Sequence, residues 1–418
     1  MLVLLALSGV VALCMAWAIG AQDVSNALGT AVGSKAITVR QAILIGAVCE
    51  FSGALLGGDV ATTISKGIIA PDEAGSAFIY CLVMFCTLAG AFLWLLIATI
   101  YALPVSTSHS MIGSLVGLGL VVCPSALNVG ILSTIVVSWV VSPLLGAVIA
   151  YAVFSTIHRG ILMDPRPTRA ASIMIPYFWA FTLSTLTGFL TAAGPAVLRL
   201  KPAACLVASL VVFVLVVALA KMQPGNSAGS LFELVGPGPD PIASDAASPV
   251  EACEAMFIRL MIVTACVVSF AHGSNDVSNS IGPFAAIVEV FTTGSANGTD
   301  PVPLWILVAG GLGIVLGLGT YGYKVMATIG ERITRLTYSR GFAAQLATAL
   351  TVLTASILGI SVSTTHCLIG AITGLALVEG ADKVNKQTLK KIAMSWVVTL
   401  PASAAFSLIV LTFARLFV

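Results

Sequence analysis

Apolar residues run in blocks along almost the whole chain, with short polar clusters between them. The blocks fall at 2–19 continuing to about 33, 41–58, 76–98, 105–123, 127–155, 171–193, 203–221, 255–271 continuing to about 288, 304–325, 341–360, 361–378 and 390–414. At 1.5 Å rise per residue, about twenty helical residues cross a hydrocarbon core roughly 30 Å thick. The blocks are apolar on every face, which suits membrane helices; a transmembrane β-barrel would alternate. The predicted fold is therefore an all-α polytopic membrane protein with about twelve transmembrane segments. Segments 105–123 and 361–378 either span or form re-entrant hairpins with the segments before them. One interruption is long. Gln223–Glu254 is rich in Gly, Pro and Ser, holds Glu233, Asp240, Asp245, Glu251 and Glu254, and has no Lys or Arg, the pattern of a flexible linker.

Composition agrees with the pattern. The 418 residues are 58% hydrophobic and 9% charged, whereas a soluble domain carries roughly 25% charged residues. A net charge of +2 gives no footing for nucleic acid. The nine cysteines are odd in number, lie mostly within apolar blocks and show no metal-ligand spacing, so they are expected to be buried thiols. Leu2–Ile19 imitates a signal peptide, but a polar cluster follows at once, and it is expected to be a retained first helix.

That cluster, Gly20-Ala21-Gln22-Asp23-Val24-Ser25-Asn26-Ala27-Leu28-Gly29, has a second copy in Ala271-His272-Gly273-Ser274-Asn275-Asp276-Val277-Ser278-Asn279-Ser280-Ile281-Gly282, 253 residues on. A second pair of motifs is separated by 257 residues: Val105-Ser106-Thr107-Ser108-His109 with Val362-Ser363-Thr364-Thr365-His366. Same order and similar spacing imply two repeats, 1–156 and 255–418, joined by a connecting region 157–254 with two further helices and the acidic linker. Placing the basic loop His158–Arg169 inside the cell puts Lys35 and Arg40 inside, the mainly acidic stretch Asp59–Glu73 outside, and Lys324–Arg340 and Lys383–Lys391 inside. Corresponding loops then lie on opposite faces and both termini on the non-cytoplasmic face. This is the pattern of inverted-topology repeats, an architecture of secondary transporters with broken helices. Arg199 and Lys201 fall outside and run against the rule.

A carboxylate within a membrane-length apolar segment is costly and marks a pathway for substrate or ion. A straight helix over 2–33 would be about 48 Å long, so a break near Gly20, and another near Gly273, is expected. Freed carbonyls with Asp23, Asn26, Asp276 and Asn279 then suit a small hard cation such as Na⁺. The same carboxylates suit a proton. The hydroxyl clusters precede apolar segments and read as helix N-caps, where unpaired N–H groups bind an anion without Lys or Arg. Two such ends meeting from opposite sides would surround a tetrahedral oxyanion. His109 and His366 read more readily as helix-packing groups than as proton carriers. Glu50, inside an apolar span, is a candidate cation ligand, proton site or partner of Lys35 or Arg40; Gln345 is a weaker polar signal.

These motifs, with Thr30-Ala31-Val32-Gly33-Ser34, Cys49-Glu50-Phe51-Ser52-Gly53-Ala54 and Lys66-Gly67-Ile68-Ile69, resemble the inorganic phosphate transporter family over both halves but not the linker. The resemblance implies an inverted-repeat symporter for inorganic phosphate, driven by Na⁺ or H⁺, working by alternating access. It needs no cofactor beyond the coupling ion. It implies cations around Asp23, Asn26, Asp276, Asn279 and Glu50, with Na⁺ at the first four. Phosphate is expected near Ser106, Thr107, Ser108, Ser363, Thr364 and Thr365, with Gln22 and Asn275. A homodimer in a plasma membrane or organelle inner membrane is the corresponding expectation. Two positions depart from the family pattern: Gln22 stands where Asn is usual, and Gln345 where many members have Glu. Both bear on the coupling ion more than on the substrate. The alternatives are a sulfate or other oxyanion symporter, a channel, and, more remotely, an intramembrane hydrolase using Asp23 and Asp276 as a dyad.

Overall fold

The computed structural model describes the whole chain apart from residues 102, 104, 195–197, 223–247, 296–300, 324–336, 385, 417 and 418, together with the side chains of 388, 391 and 392. The described residues are helical, with a single isolated bridge between Ile69 and Leu127. In chain order the helices are α1 Leu2–Gln22, α2 Val24–Gly33, α3 Val39–Ala54, α4 Gly58–Thr62, α5 Ala77–Ile100, α6 Thr107–Val122, α7 Val129–Ile157, α8 Pro167–Ala193 and α9 Pro202–Met222. They continue as α10 Pro249–Ala255, α11 Ile258–Asp276, α12 Ser278–Thr293, α13 Leu304–Gly317, α14 Tyr338–Ile357, α15 Thr364–Glu379 and α16 Lys386–Ala414.

All twelve apolar segments are helical, but not all meet the requirements of a full span. Among the described residues eight helices are long and apolar enough to cross a membrane, or nine if α3 and its continuation Gly58–Gly67, bent by 58°, count as one. Helices α6 and α15 have 16 residues each, about 24 Å, short of a roughly 30 Å core. Helix α14 is long enough, but Arg340, Gln345 and its hydroxyls lower its apolar character. The stretch read as an acidic loop after α3 is mostly helical, as α4 and a π-turn over Thr63–Gly67. Most of the linker lies outside the described residues. Its end is helix α10, capped by Ser248, whose Oγ accepts from Glu251 N, and Glu254 accepts from Ser339 N and Oγ at 2.9 and 2.7 Å.

Glycine sets the helix packing. A Cβ on Gly20 would collide with the Ile314 carbonyl, and one on Gly317 with the Trp17 carbonyl. The second copy repeats this: Gly273 lies against the Glu50 carbonyl and Gly53 against the Phe270 carbonyl. Gly20 and Gly273 are therefore points of backbone contact between helices, and the breaks fall elsewhere. Small residues permit this approach where lipid offers no hydrophobic drive. The same device joins α6 to α16, with Gly113 at Leu400 and Gly117 at Ala404, and α15 to α7, with Gly370 at Pro143 and Gly374 at Ala147. In these last two pairs the residue numbers rise together, as they do from Ala16–Gly313 to Ala21–Gly317 and from Phe270–Gly53 to Val277–Gly57, so the partners in all four pairs run parallel.

Candidate functional site

Each Asp motif sits at a one-residue interruption, Asp23 between α1 and α2 and Val277 between α11 and α12. The backbone there stays in the right-handed helical region, at φ −89°, ψ −24° for Asp23 and φ −54°, ψ −34° for Val277. Carbonyls loosened at the breaks are taken up locally: Ser25 Oγ donates to Gln22 O at 2.6 Å and Ser278 Oγ to Asn275 O at 2.5 Å. The Gln22 and Asn275 carbonyls thus each accept a hydrogen bond, and side-chain oxygens stand near them as further oxygen ligands.

The hydroxyl motifs begin α6 and α15. Ser106 and Ser363 are the N-caps, accepting from His109 N at 3.2 Å and His366 N at 3.3 Å. The next residues join the Asp motifs. Thr364 Oγ1 donates to Asp276 Oδ2 at 3.0 Å, and the matching Thr107 is the hydroxyl partner of Asp23. The asparagines cross between halves: Asn26 Nδ2 donates to Thr365 Oγ1 at 2.8 Å and Asn279 Nδ2 to Ser108 Oγ at 3.1 Å. Ser108 Oγ in turn donates to Val362 O at 3.0 Å. All six motif hydroxyls, with Asp23, Asn275, Asp276 and Asn279, are buried. The two motifs of each repeat, some 80 residues apart in sequence, therefore form one network with those of the other repeat.

Gln22 and Asn275 serve as braces. Gln22 Nε2 donates to Leu103 O at 3.1 Å and its Oε1 accepts from Thr99 Oγ1 at 3.2 Å. Asn275 Nδ2 donates to Ser356 Oγ at 3.0 Å and Ile360 O at 3.1 Å, and its Oδ1 accepts from Val362 N at 3.1 Å. Partners of the two amides correspond at the 257-residue spacing, so the extra methylene of Gln22 is absorbed. Gln345 is also satisfied, accepting from Thr264 Oγ1 at 2.9 Å and donating to Thr30 Oγ1 at 2.7 Å and Ala27 O at 3.3 Å.

One buried side chain beside the Asp motif escaped the sequence reading. His272 is buried between two carboxylates, Nδ1 2.7 Å from Glu50 Oε2 and Nε2 2.9 Å from Asp276 Oδ2. Its spacing of four residues from Asp276 put both on one helix face; the pairing with Glu50, 222 residues away, needed the fold. Glu50 therefore pairs with His272, and neither Lys35 nor Arg40 is its partner. Ligand atoms of Asp23, His272 and Asp276 lie within 4.8 Å of one another. Asp276 Oδ1, Glu50 Oε1 and Ser274 Oγ have no hydrogen-bond partner beside them. Buried oxygens left over in this way, most of them on carboxylates, fit a small hard cation.

Comparison with known proteins follows the same outline. The sequence profile described as the phosphate transporter family matches residues 19–407. The chain belongs to that family. Its members are transporters, not enzymes, and the chain is a multi-pass integral membrane protein. It is 40% identical over 94% of its length to a Thermococcus kodakarensis protein provisionally named a phosphate permease, covering 93% of that protein. It is also 40% identical over 94% of its length to the chloroplastic inorganic phosphate transporter 2-1 of Arabidopsis thaliana, covering 69% of it. A solved structure titled the sodium-dependent phosphate transporter superposes with a TM-score of 0.85 at 37% identity, each chain covered in full.

Proposed function

We propose that the protein is a symporter that carries inorganic phosphate, driven by a Na⁺ gradient, through alternating access. The observation that carries this is the single buried network in which the Asp motifs and the hydroxyl-capped helix starts meet. In it Asp23, Asp276 and Glu50 hold the cation, with Asn26 and Asn279 linking to the cradle. The hydroxyls of Thr107, Ser108, Thr364 and Thr365 and the first N–H groups of α6 and α15 hold the anion. Ser106 and Ser363 shape the helix starts, and Gln22 and Asn275 position the segments leading into them. Helix N-termini favour a tetrahedral anion through N–H groups and dipole. Family membership favours phosphate over sulfate and sets the hydrolase aside.

Inverted repeats over 1–156 and 255–418 are supported by helix directions. Helix α11 runs parallel to α3 and α13 parallel to α1, while the short connection 34–38 makes α3 return against α2. The first helix of each repeat thus opposes that of the other. On this arrangement twelve segments cross or enter the membrane and both termini share the non-cytoplasmic face; cysteine labelling of each terminus in sealed vesicles tests that placement. Sodium is favoured over protons by the oxygen ligands and by the sodium dependence named for the solved relative. The test is uptake of labelled phosphate into proteoliposomes under an imposed Na⁺ gradient or an imposed pH gradient. Accumulation with Na⁺ alone, resistant to excess sulfate, is expected; accumulation with the pH gradient alone overturns the coupling ion.

A further inference from the structure

Below the hydroxyl motifs four rings meet. His109 of α6 lies 4.0 Å, centroid to centroid, from Trp139 of α7, and His366 of α15 lies 3.5 Å from Trp396 of α16, stacked at 28°. The two imidazoles touch edge to face at 4.4 Å and 81°. Both histidines are buried, at 3% and 0% exposure. The His and Trp of one repeat match those of the other at the 257-residue spacing, so the contact sits where the two halves face each other.

The rings bridge two close-packed helix pairs. Glycine contacts lock α6 to α16 and α15 to α7. His109 reaches from the first pair to the second through Trp139, and His366 reaches back through Trp396. Next to His109, Ser108 Oγ donates to Val362 O, two residues before the start of α15. Each histidine is also the residue whose N–H closes the cap of its helix. The imidazoles touch through ring faces and edges, and each also lies beside the main chain of the opposite tryptophan, His109 at Trp396 and His366 at Trp139.

We propose that His109 and His366 are positioning residues: their mutual ring contact, braced by Trp139 and Trp396, sets the spacing between the N-terminal ends of α6 and α15 and with it the fit of the anion cradle. The inference rests on the assignment of phosphate to those helix starts. It explains a histidine in the same place in both halves without giving it a proton or a ligand to carry. A displacement of about 1 Å at a binding centre is enough to cost up to a hundredfold in rate.

The test compares three replacements at each histidine by Na⁺-driven phosphate uptake in proteoliposomes, with detergent-solubilised thermal stability as the check on folding. His366→Phe and His109→Phe keep an aromatic ring, somewhat larger than imidazole, and are expected to stay within about twofold of wild type. His366→Ala and His109→Ala should raise the phosphate KM about tenfold, leaving the half-saturating Na⁺ concentration unchanged. His109→Ala with His366→Ala should raise the KM little more than either alone, since the contact between the imidazoles is lost in all three. Rescue by Gln with failure of Phe would overturn the proposal by making the ring nitrogens the active feature, and so would Ala variants with unchanged KM. Thr364→Ala with Thr365→Ala separates the two layers. If that variant leaves the KM unchanged, the cradle assignment itself fails; if it raises the KM and the His→Ala variants do not, only the positioning role fails.

Discussion

The two halves share a scaffold and differ in what they place beside their aspartates. Around Asp276 stand His272, one turn back, and Glu50, brought in by the contact at Gly273. The corresponding contact in the other half puts Ile314 at Gly20, and Ile19 occupies the place of His272. Asp276 and Glu50 touch His272 directly, whereas Asp23 has isoleucines at the corresponding places in its own half and meets His272 and Asp276 across the two halves, with ligand atoms within 4.8 Å. Gln345 is similarly one-sided: its counterpart 257 residues earlier is Leu88, which is buried. The network of Asp, Asn, Ser and Thr is duplicated, and the extra polar groups appear once each. Duplication accounts for the cradle and the two helix breaks. The single-copy residues Glu50, His272 and Gln345 are what distinguish the surroundings of Asp276 from those of Asp23.

Removing the duplicated carboxylates should have the largest effect. Asp276→Asn replaces a carboxylate of the proposed cation site with an amide and is expected to lower Na⁺-driven uptake about a hundredfold or more, as removal of a hard-cation ligand oxygen would. Size-exclusion behaviour of the purified variant checks that it folds. Asp23→Asn should be severe but smaller, because His272 keeps its direct contacts with Glu50 and Asp276. Next comes the asymmetry itself. His272→Gln or Glu50→Gln strands a buried group and should lower thermal stability, whereas Glu50→Ile with His272→Ile copies the other half and should be more stable than either single variant. A double variant less stable than both singles would show that the pair is needed for folding.

Smaller effects test the family departures. Gln345 donates to Ala27 O and Thr30, which an ionised carboxylate cannot do. Gln345→Glu should therefore transport best at low pH, where the acid still carries a proton to donate, and lose activity as pH rises and it ionises; a flat profile of uptake against pH counts against this. Gln22→Asn should change uptake by no more than about twofold, since Asn275 reaches the equivalent partners with one methylene fewer.

Much of this was legible in the chain. Twelve apolar blocks are twelve helical segments, the two hydroxyl motifs cap helices at Ser106 and Ser363, and each Asp motif lies at a helix interruption. Three things were not. Gly20 and Gly273 look like breaking points in one dimension, and only the neighbouring carbonyls reveal them as contacts. The stretch after α3 carries charge that hides a bent helical pair. The ring cluster and the Glu50–His272 contact join residues more than 200 positions apart, where periodicity has nothing to say. Local chemistry is written in spacing; which half supplies the partner is written in the packing of parallel helix pairs.

The central claim is that the cation and anion share one network, linked through Asn26–Thr365 and Asn279–Ser108. Equilibrium linkage tests it directly, because coupling between two ligands must be reciprocal. Phosphate affinity of the purified protein would be measured across a range of Na⁺ at constant ionic strength, and Na⁺ affinity across a range of phosphate. The account predicts that each ligand tightens the other by the same factor, and that Asn26→Ala with Asn279→Ala reduces that factor. Phosphate binding of unchanged affinity with and without Na⁺ would contradict it.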